Sequence, residues 1–176
     1  MVHGFMTQSG GDVRIESEPG VGTSVKLYFR AEAVGRVADR KQEEEAVAAR
    51  YPGARILIAE DQENVLAVLK RSLQAMGHDV IAAPTGDQAA EVFLGAGPFD
   101  LLITDIVMPG KMQGPDLAVH LRTLDPDLPV VFLSGYASDE SFRQSGIGDD
   151  DIRLMKPVAR RKLVEAVDDA LSSRRT

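Results

Sequence analysis

The chain has 176 residues with 20 Lys+Arg against 27 Asp+Glu, a net charge of −7, a length that suits one ordinary domain plus a smaller piece. Hydrophobic residues at 44% and charged residues at 27% are enough to build a core, and the absence of cysteine excludes disulfides, thiolate metal sites and thiol nucleophiles. The acidic balance argues against a nucleic-acid module, and no apolar window or leader pattern suggests a membrane span or a secretory signal, so a cytoplasmic chain without membrane contact is expected.

In chain order, a short helical stretch ends at Gly10-Gly11. Asp12–Glu18 and Thr23–Arg30 then alternate apolar and polar residues around the turn-rich Pro19-Gly20-Val21-Gly22. This predicts a β-hairpin, a small unit that is marginal in water unless its apolar face is covered. Residues 31–53 carry Glu43-Glu44-Glu45 and few large aliphatic side chains, and read as a charged, solvated linker.

From residue 54 the pattern changes to short apolar runs alternating with amphipathic stretches. Strands are expected at Arg55–Ala59, His78–Ala83, Asp100–Thr104, Pro129–Leu133 and Ile152–Met155. Helices are expected at Gln62–Met76, Thr85–Leu94, Gly114–Thr123, Ser138–Gln144 and Ala159–Leu171. The first places Val65, Leu66, Leu69, Leu73 and Met76 on one stripe and stops at Gly77, and the second opens on Thr85-Gly86-Asp87-Gln88, the pattern of a capping box. Five strand-helix repeats with right-handed crossovers make an α/β, doubly wound, three-layer domain with a five-stranded parallel sheet.

In such a sheet ligands sit beyond the carboxyl ends of the strands. Here the first strand runs into Glu60-Asp61, the third into Asp105, the fourth into Ser134-Gly135 and the fifth into Lys156-Pro157. An aspartate after a strand is commonly a turn or capping residue, and a lone lysine is commonly solvated. Together on one rim they mean more. Three carboxylates raise one another's pKa unless a cation shares the site, and an all-oxygen donor set suits a hard divalent ion such as Mg²⁺. Lys156 adds a pairing worth roughly 4 kcal/mol at about 4 Å and an effective dielectric near 20, before desolvation. Such a set can neutralise an incoming phosphoryl group while a carboxylate accepts it.

Residues 54–173 resemble the receiver domain of two-component response regulators. The resemblance rests on Ile56-Leu57-Ile58-Ala59-Glu60-Asp61, Thr104-Asp105-Ile106-Val107-Met108-Pro109-Gly110, Leu133-Ser134-Gly135-Tyr136 and Leu154-Met155-Lys156-Pro157, in that order. It implies a flavodoxin-like fold with strand order 2-1-3-4-5 and a phosphorelay role. Asp105 would be the phosphoacceptor; Glu60, Asp61, Asp105 and the Val107 carbonyl would hold Mg²⁺; Ser134 would bind the phosphoryl group and Lys156 would pair with it. It also implies a cis Lys156–Pro157 bond. The phosphodonor would be a histidine kinase or a histidine phosphotransfer protein, and the output would reach a downstream signalling protein, from a chain expected to be a monomer.

Two departures stand out: Glu60 occupies a place often held by aspartate, and Arg153 stands where the family usually has an aromatic switch residue. Val107 and Tyr136, two residues past Asp105 and Ser134, can offer no carboxylate or amide to position attacking water. A long-lived phosphate is expected. Residues 1–30 resemble the last helix and two strands of a histidine-kinase ATP-binding domain, through Gln8-Ser9-Gly10-Gly11, Ile15-Glu16-Ser17-Glu18-Pro19-Gly20 and Gly22-Thr23. The parent arrangement would be a hybrid kinase. With no phosphoacceptor histidine motif and no ATP-binding boxes, self-phosphorylation from a phosphohistidine is expected, without autonomous kinase activity. The alternative reading is a phosphorylation-independent interaction module on a receiver-like fold.

Overall fold

The computed structural model describes residues 6, 10–20, 22–29, 50–135, 148 and 151–174. The chain divides into two units, residues 1–46 and 47–176. The first contains strands β1 (Asp12–Glu18) and β2 (Gly22–Tyr28), which pair antiparallel with Val13 opposite Leu27 and Ile15 opposite Val25. Because side chains alternate along a strand, these four share one face. That face is open: Ile15 is 64% exposed, and Val25 and Leu27 are exposed beside it. The predicted hairpin is present, with its second strand starting at Gly22 instead of Thr23 and ending at Tyr28.

The second unit runs β3 (Arg55–Ala59), α1 (Glu63–Ala75), β4 (Asp79–Ala83), α2 (Gly86–Ala96), β5 (Leu101–Asp105), α3 (Gly114–Arg122), β6 (Val130–Ser134), β7 (Ile152–Met155) and α4 (Arg160–Ser173). All strand pairs are parallel and the spatial order is β4-β3-β5-β6-β7, the 2-1-3-4-5 order expected. The helix predicted at Ser138–Gln144, and Tyr136, lie outside the described residues. Observed bounds differ from the sequence reading by a residue or two at element ends, where hydrogen-bond ladders fray. One such shift matters: β5 and β6 include Asp105 and Ser134 as their last residues, so both are held by sheet register and not by a following loop.

Strand alternation divides the core into two layers. Ile56, Ile58, Leu101, Ile103, Val131 and Leu133 pack with Leu69 and Leu73 of α1 and Leu163, Val164 and Val167 of α4. Leu57, Leu102, Val130 and Phe132 point the other way, onto Ala89, Ala90 and Phe93 of α2 and Leu117 and Leu121 of α3. The stripe read on α1 is the one used: Val65 and Leu66 pack against the same layer as Leu69, Leu73 and Met76. At the start of α2 the Thr85 hydroxyl accepts from the Gln88 N–H at 3.2 Å, as the capping pattern requires.

Residues 50–53 do not behave as linker. The Arg50 N–H donates to Asp168 Oδ1 at 2.9 Å, Tyr51 packs on the α1/α4 side of the core, and the Gly53 N–H donates to the Gly77 carbonyl at 2.9 Å. Residues 31–53 carry few large aliphatic side chains, yet the last four residues close the amino-terminal end of the sheet. Asp151, at the end of the acidic run Asp149-Asp150-Asp151, is likewise engaged: Arg122 grips it in a fork at 2.6 and 3.3 Å, and the Gly148 N–H reaches it at 2.8 Å.

Candidate functional site

The strand order reverses between β3 and β5, and this is where the acidic residues gather. Glu60 and Asp61 follow β3, and the Glu60 N–H donates to the Ala83 carbonyl at 3.1 Å, which fixes its backbone to the end of β4. Asp105 closes β5, paired in register with Leu133, and the next N–H, of Ile106, donates to the Leu133 carbonyl at 3.1 Å. Ser134 closes β6 and is buried. The Lys156 N–H donates to the Ser134 carbonyl at 2.7 Å, so sheet register carries the lysine to the same rim, and the Lys156–Pro157 peptide is cis.

There the side chains meet. Lys156 Nζ lies 2.6 Å from Glu60 Oε2 and donates to Asp105 Oδ2 at 2.7 Å. One oxygen from each of Glu60, Asp61 and Asp105 lies within 4.8 Å of the others. Glu60 has no exposed surface and Asp105 is 7% exposed, so these charges stand in a poorly solvated place. Burial raises the Glu60 pKa above its ordinary value, although the Lys156 hydrogen bond and charge and the Gln62 N–H all pull it down. For Lys156 burial acts the other way, but its hydrogen bonds to Asp105 and Glu60 outweigh it, and the ammonium is held above its usual range.

Among the described residues, one ammonium pairs with two of the three carboxylates. Asp61 Oδ1 is buried with no hydrogen-bond partner among the described residues, an arrangement that costs free energy unless something else satisfies it. Hard oxygen donors, surplus negative charge and an orphaned buried carboxylate oxygen fit a divalent cation such as Mg²⁺.

The sequence reading therefore brought together Glu60, Asp61, Asp105, Ser134 and Lys156, and all five stand on one rim. Val107 is also there, in the loop after Asp105, its side chain 73% exposed. Arg153, at the usual aromatic position, is exposed and donates to the Gly148 carbonyl at 3.1 Å. Two residues escaped sequence reasoning. The Gln113 side-chain amide accepts from the Met108 N–H at 2.9 Å and donates to the Met108 carbonyl at 2.8 Å. Asp87, in the first turn of α2, accepts from the Lys111 N–H at 3.1 Å. No local signal marks either, since each partner is reached only once the loop closes.

A parallel five-stranded sheet with an acidic rim and an opposed lysine defines a doubly wound α/β domain with a charged site at its strand switch point. Residues 56–168 match the response regulator receiver domain, and the chain belongs to that family. It is 38% identical over 117 residues to "Response regulator receiver protein CpdR" of Brucella abortus (strain 2308), covering 66% of this chain and 96% of that protein. It is 34% identical over 180 residues to "Sensor kinase CckA" of the same organism, covering 97% of this chain but only 19% of the kinase. Among solved structures, a response regulator receiver protein from Sinorhizobium medicae WSM419 superposes with a TM-score of 0.64 at 30% identity, over 69% of this chain and 97% of that one. Receiver domains of this family pair with histidine kinases or phosphotransfer proteins. No helix among the described residues is long and apolar enough to cross a membrane.

Proposed function

We propose that residues 54–173 form a phosphorelay receiver in which Asp105 accepts a phosphoryl group from a phosphohistidine. The observation that carries this reading is the Lys156 ammonium, bridging Glu60 and Asp105 at 2.6 and 2.7 Å, beside the orphaned Asp61 oxygen. Glu60, Asp61, Asp105 and the Val107 carbonyl are the groups that would hold Mg²⁺. When bound, that ion supplies positive charge to the oxygens of the transferring group. The partner is a histidine kinase or a histidine phosphotransfer protein.

The chain's own residues do the rest. Sheet register holds the Asp105 carboxylate for in-line attack; its oxygen forms the new bond to phosphorus as the phosphorus–nitrogen bond of the donor histidine breaks, and the electron pair leaves with the imidazole. Lys156 shifts from the two carboxylates to a phosphoryl oxygen, and the Ser134 hydroxyl donates to another. The product adds about two negative charges beside Ser134, and this change of charge alters affinity for a downstream protein, which passes the signal on.

The N-terminal unit we read as the end of a histidine-kinase ATP-binding domain, with the segment up to residue 49 as the joint and the receiver after it. The alignment with "Sensor kinase CckA", covering 97% of this chain, must take in nearly all of the hairpin, and the exposed Ile15, Val25 and Leu27 are a face made to be covered. The phosphorelay reading is tested by incubating the chain with a small-molecule phosphoramidate. Mass spectrometry should find one added phosphoryl group when Mg²⁺ is present and none when it is chelated. An unchanged mass under both conditions would favour a module that works by docking alone.

A further inference from the structure

The loop from β5 to α3 spans residues 106–113 and is closed at its root, where the Gly114 N–H donates to the Ile106 carbonyl at 3.1 Å. Its first residue is therefore fixed on both sides, by Leu133 and by Gly114. The second, Val107, has a side chain that is largely in solvent and cannot be held by packing. The third, Met108, is buried, and both of its backbone groups are taken by one side chain, the Gln113 amide, at 2.9 and 2.8 Å.

A peptide unit is planar and trans, so the Val107 carbonyl and the Met108 N–H point in opposite directions from one rigid plate. Fixing the N–H fixes the carbonyl. The amide orientation is unambiguous, because Met108 presents one donor and one acceptor and only one placement of oxygen and nitrogen satisfies both. Gln113 is itself anchored: its N–H donates to Asp116 Oδ2 at 3.3 Å and its carbonyl accepts from the Leu117 N–H at 2.9 Å, at the start of α3. A continuous set of hydrogen bonds thus runs from a helix of the core to the Met108 N–H, in the same rigid peptide unit as the one backbone carbonyl assigned to the cation.

We propose that Gln113 is a positioning residue of the cation site: its amide locks the Val107–Met108 peptide and so sets the direction of the Val107 carbonyl. This rests on the reading of Glu60, Asp61, Asp105 and Val107 as a Mg²⁺ site. Asp87 supplies the control. It holds the tip of the same loop through the Lys111 N–H at 3.1 Å and makes no bond to the Val107–Met108 peptide, so its removal loosens the loop without freeing that plate.

The test is a calorimetric titration of the full chain with Mg²⁺ alone, with amide exchange at Met108 measured in parallel without metal. Gln113→Leu should raise the Kd for Mg²⁺ roughly tenfold or more, the usual scale for a group that orients a ligand, and should speed exchange at Met108. Asp87→Ala should bind nearly as the unaltered chain does. If Gln113→Leu does not fold, Gln113→Ala carries the same expectation. Unchanged Mg²⁺ affinity in the Leu or Ala variant, or an equal loss in Asp87→Ala, would overturn the proposal. A wild-type chain with no response to Mg²⁺ would overturn the cation reading itself and this inference with it, an outcome recognisable because no variant is involved.

Discussion

Two buried groups of opposite character set the expectations for single residues. Among the described residues Lys156 is the only ammonium facing Glu60, which has no contact with water, and Asp105. Removing one partner of such an arrangement strands the other. Lys156→Met should therefore lower stability by about 3 kcal/mol in urea unfolding without divalent cations. Added Mg²⁺ should recover part of the loss, and an unaltered unfolding midpoint would show that the carboxylates do not depend on this lysine.

His78 lies at the other end of the sheet, buried, with neither ring nitrogen hydrogen-bonded among the described residues. Burial lowers its pKa from the ordinary 6.5, and the charge of Asp168 only partly opposes this. The folded state then binds fewer protons than the unfolded state, so the contribution is whole above about pH 6.5 and is lost as pH falls from there toward the depressed folded value. The slope is at most about 1.4 kcal/mol per pH unit for one proton. Urea midpoints at pH 8 and pH 5.5 should fall further apart in the wild type than in His78→Leu, and equal differences in the two proteins would remove His78 from the explanation.

At the scale of elements, what holds the site is close backbone approach. A Cβ on Gly114 would overlap the carbonyl oxygen of Asp105 and crowd the Thr104 hydroxyl, and one on Gly86 would overlap the Met112 carbonyl. The start of α3 thus sits directly against the residue that presents the nucleophile. Gly114→Ala should cost about 1–3 kcal/mol, the range for overfilling a packed site, read as a shift in urea midpoint at an unchanged slope. Thr85→Ala, which removes a cap and nothing else, should cost about 1 kcal/mol. A Gly114→Ala midpoint no lower than that of the unaltered chain would mean that the tight junction between β5 and α3 is more yielding than the geometry implies.

Most of this was readable from residues alone because it follows from period. The stripe on α1, the apolar runs of β3, β5 and β6, and the polar residues at their ends place Glu60, Asp61, Asp105, Ser134 and Lys156 on one rim before any distance is measured. What escaped depends on partners far along the chain or on loop closure. Gln113 in a loop looks like any polar side chain until Met108 folds back beside it. Asp151 looks solvated until Arg122, 29 residues away, forks onto it. The Arg50–Gly53 segment reads as linker because, Tyr51 apart, its binding to the core uses backbone N–H groups, which carry no compositional mark.

For the molecule as a whole, the two units differ in what protects them. The sheet of the receiver is covered on both faces, whereas the apolar face of β1 and β2 is exposed. Amides of Val13–Leu27 should exchange much faster than those of Ile56–Ile58 and Leu101–Ile103, and equal protection in the two units would mean that the hairpin face is covered in solution.

The central claim, that Asp105 is where the phosphoryl group lands, is tested most directly by chemical mapping. The chain is treated with phosphoramidate and Mg²⁺, the acyl phosphate is reduced with borohydride, and the peptides are sequenced by mass spectrometry. Conversion to homoserine should occur at residue 105 and nowhere else. Conversion at another carboxylate, or equal phosphoryl incorporation into Asp105→Asn, would contradict the account.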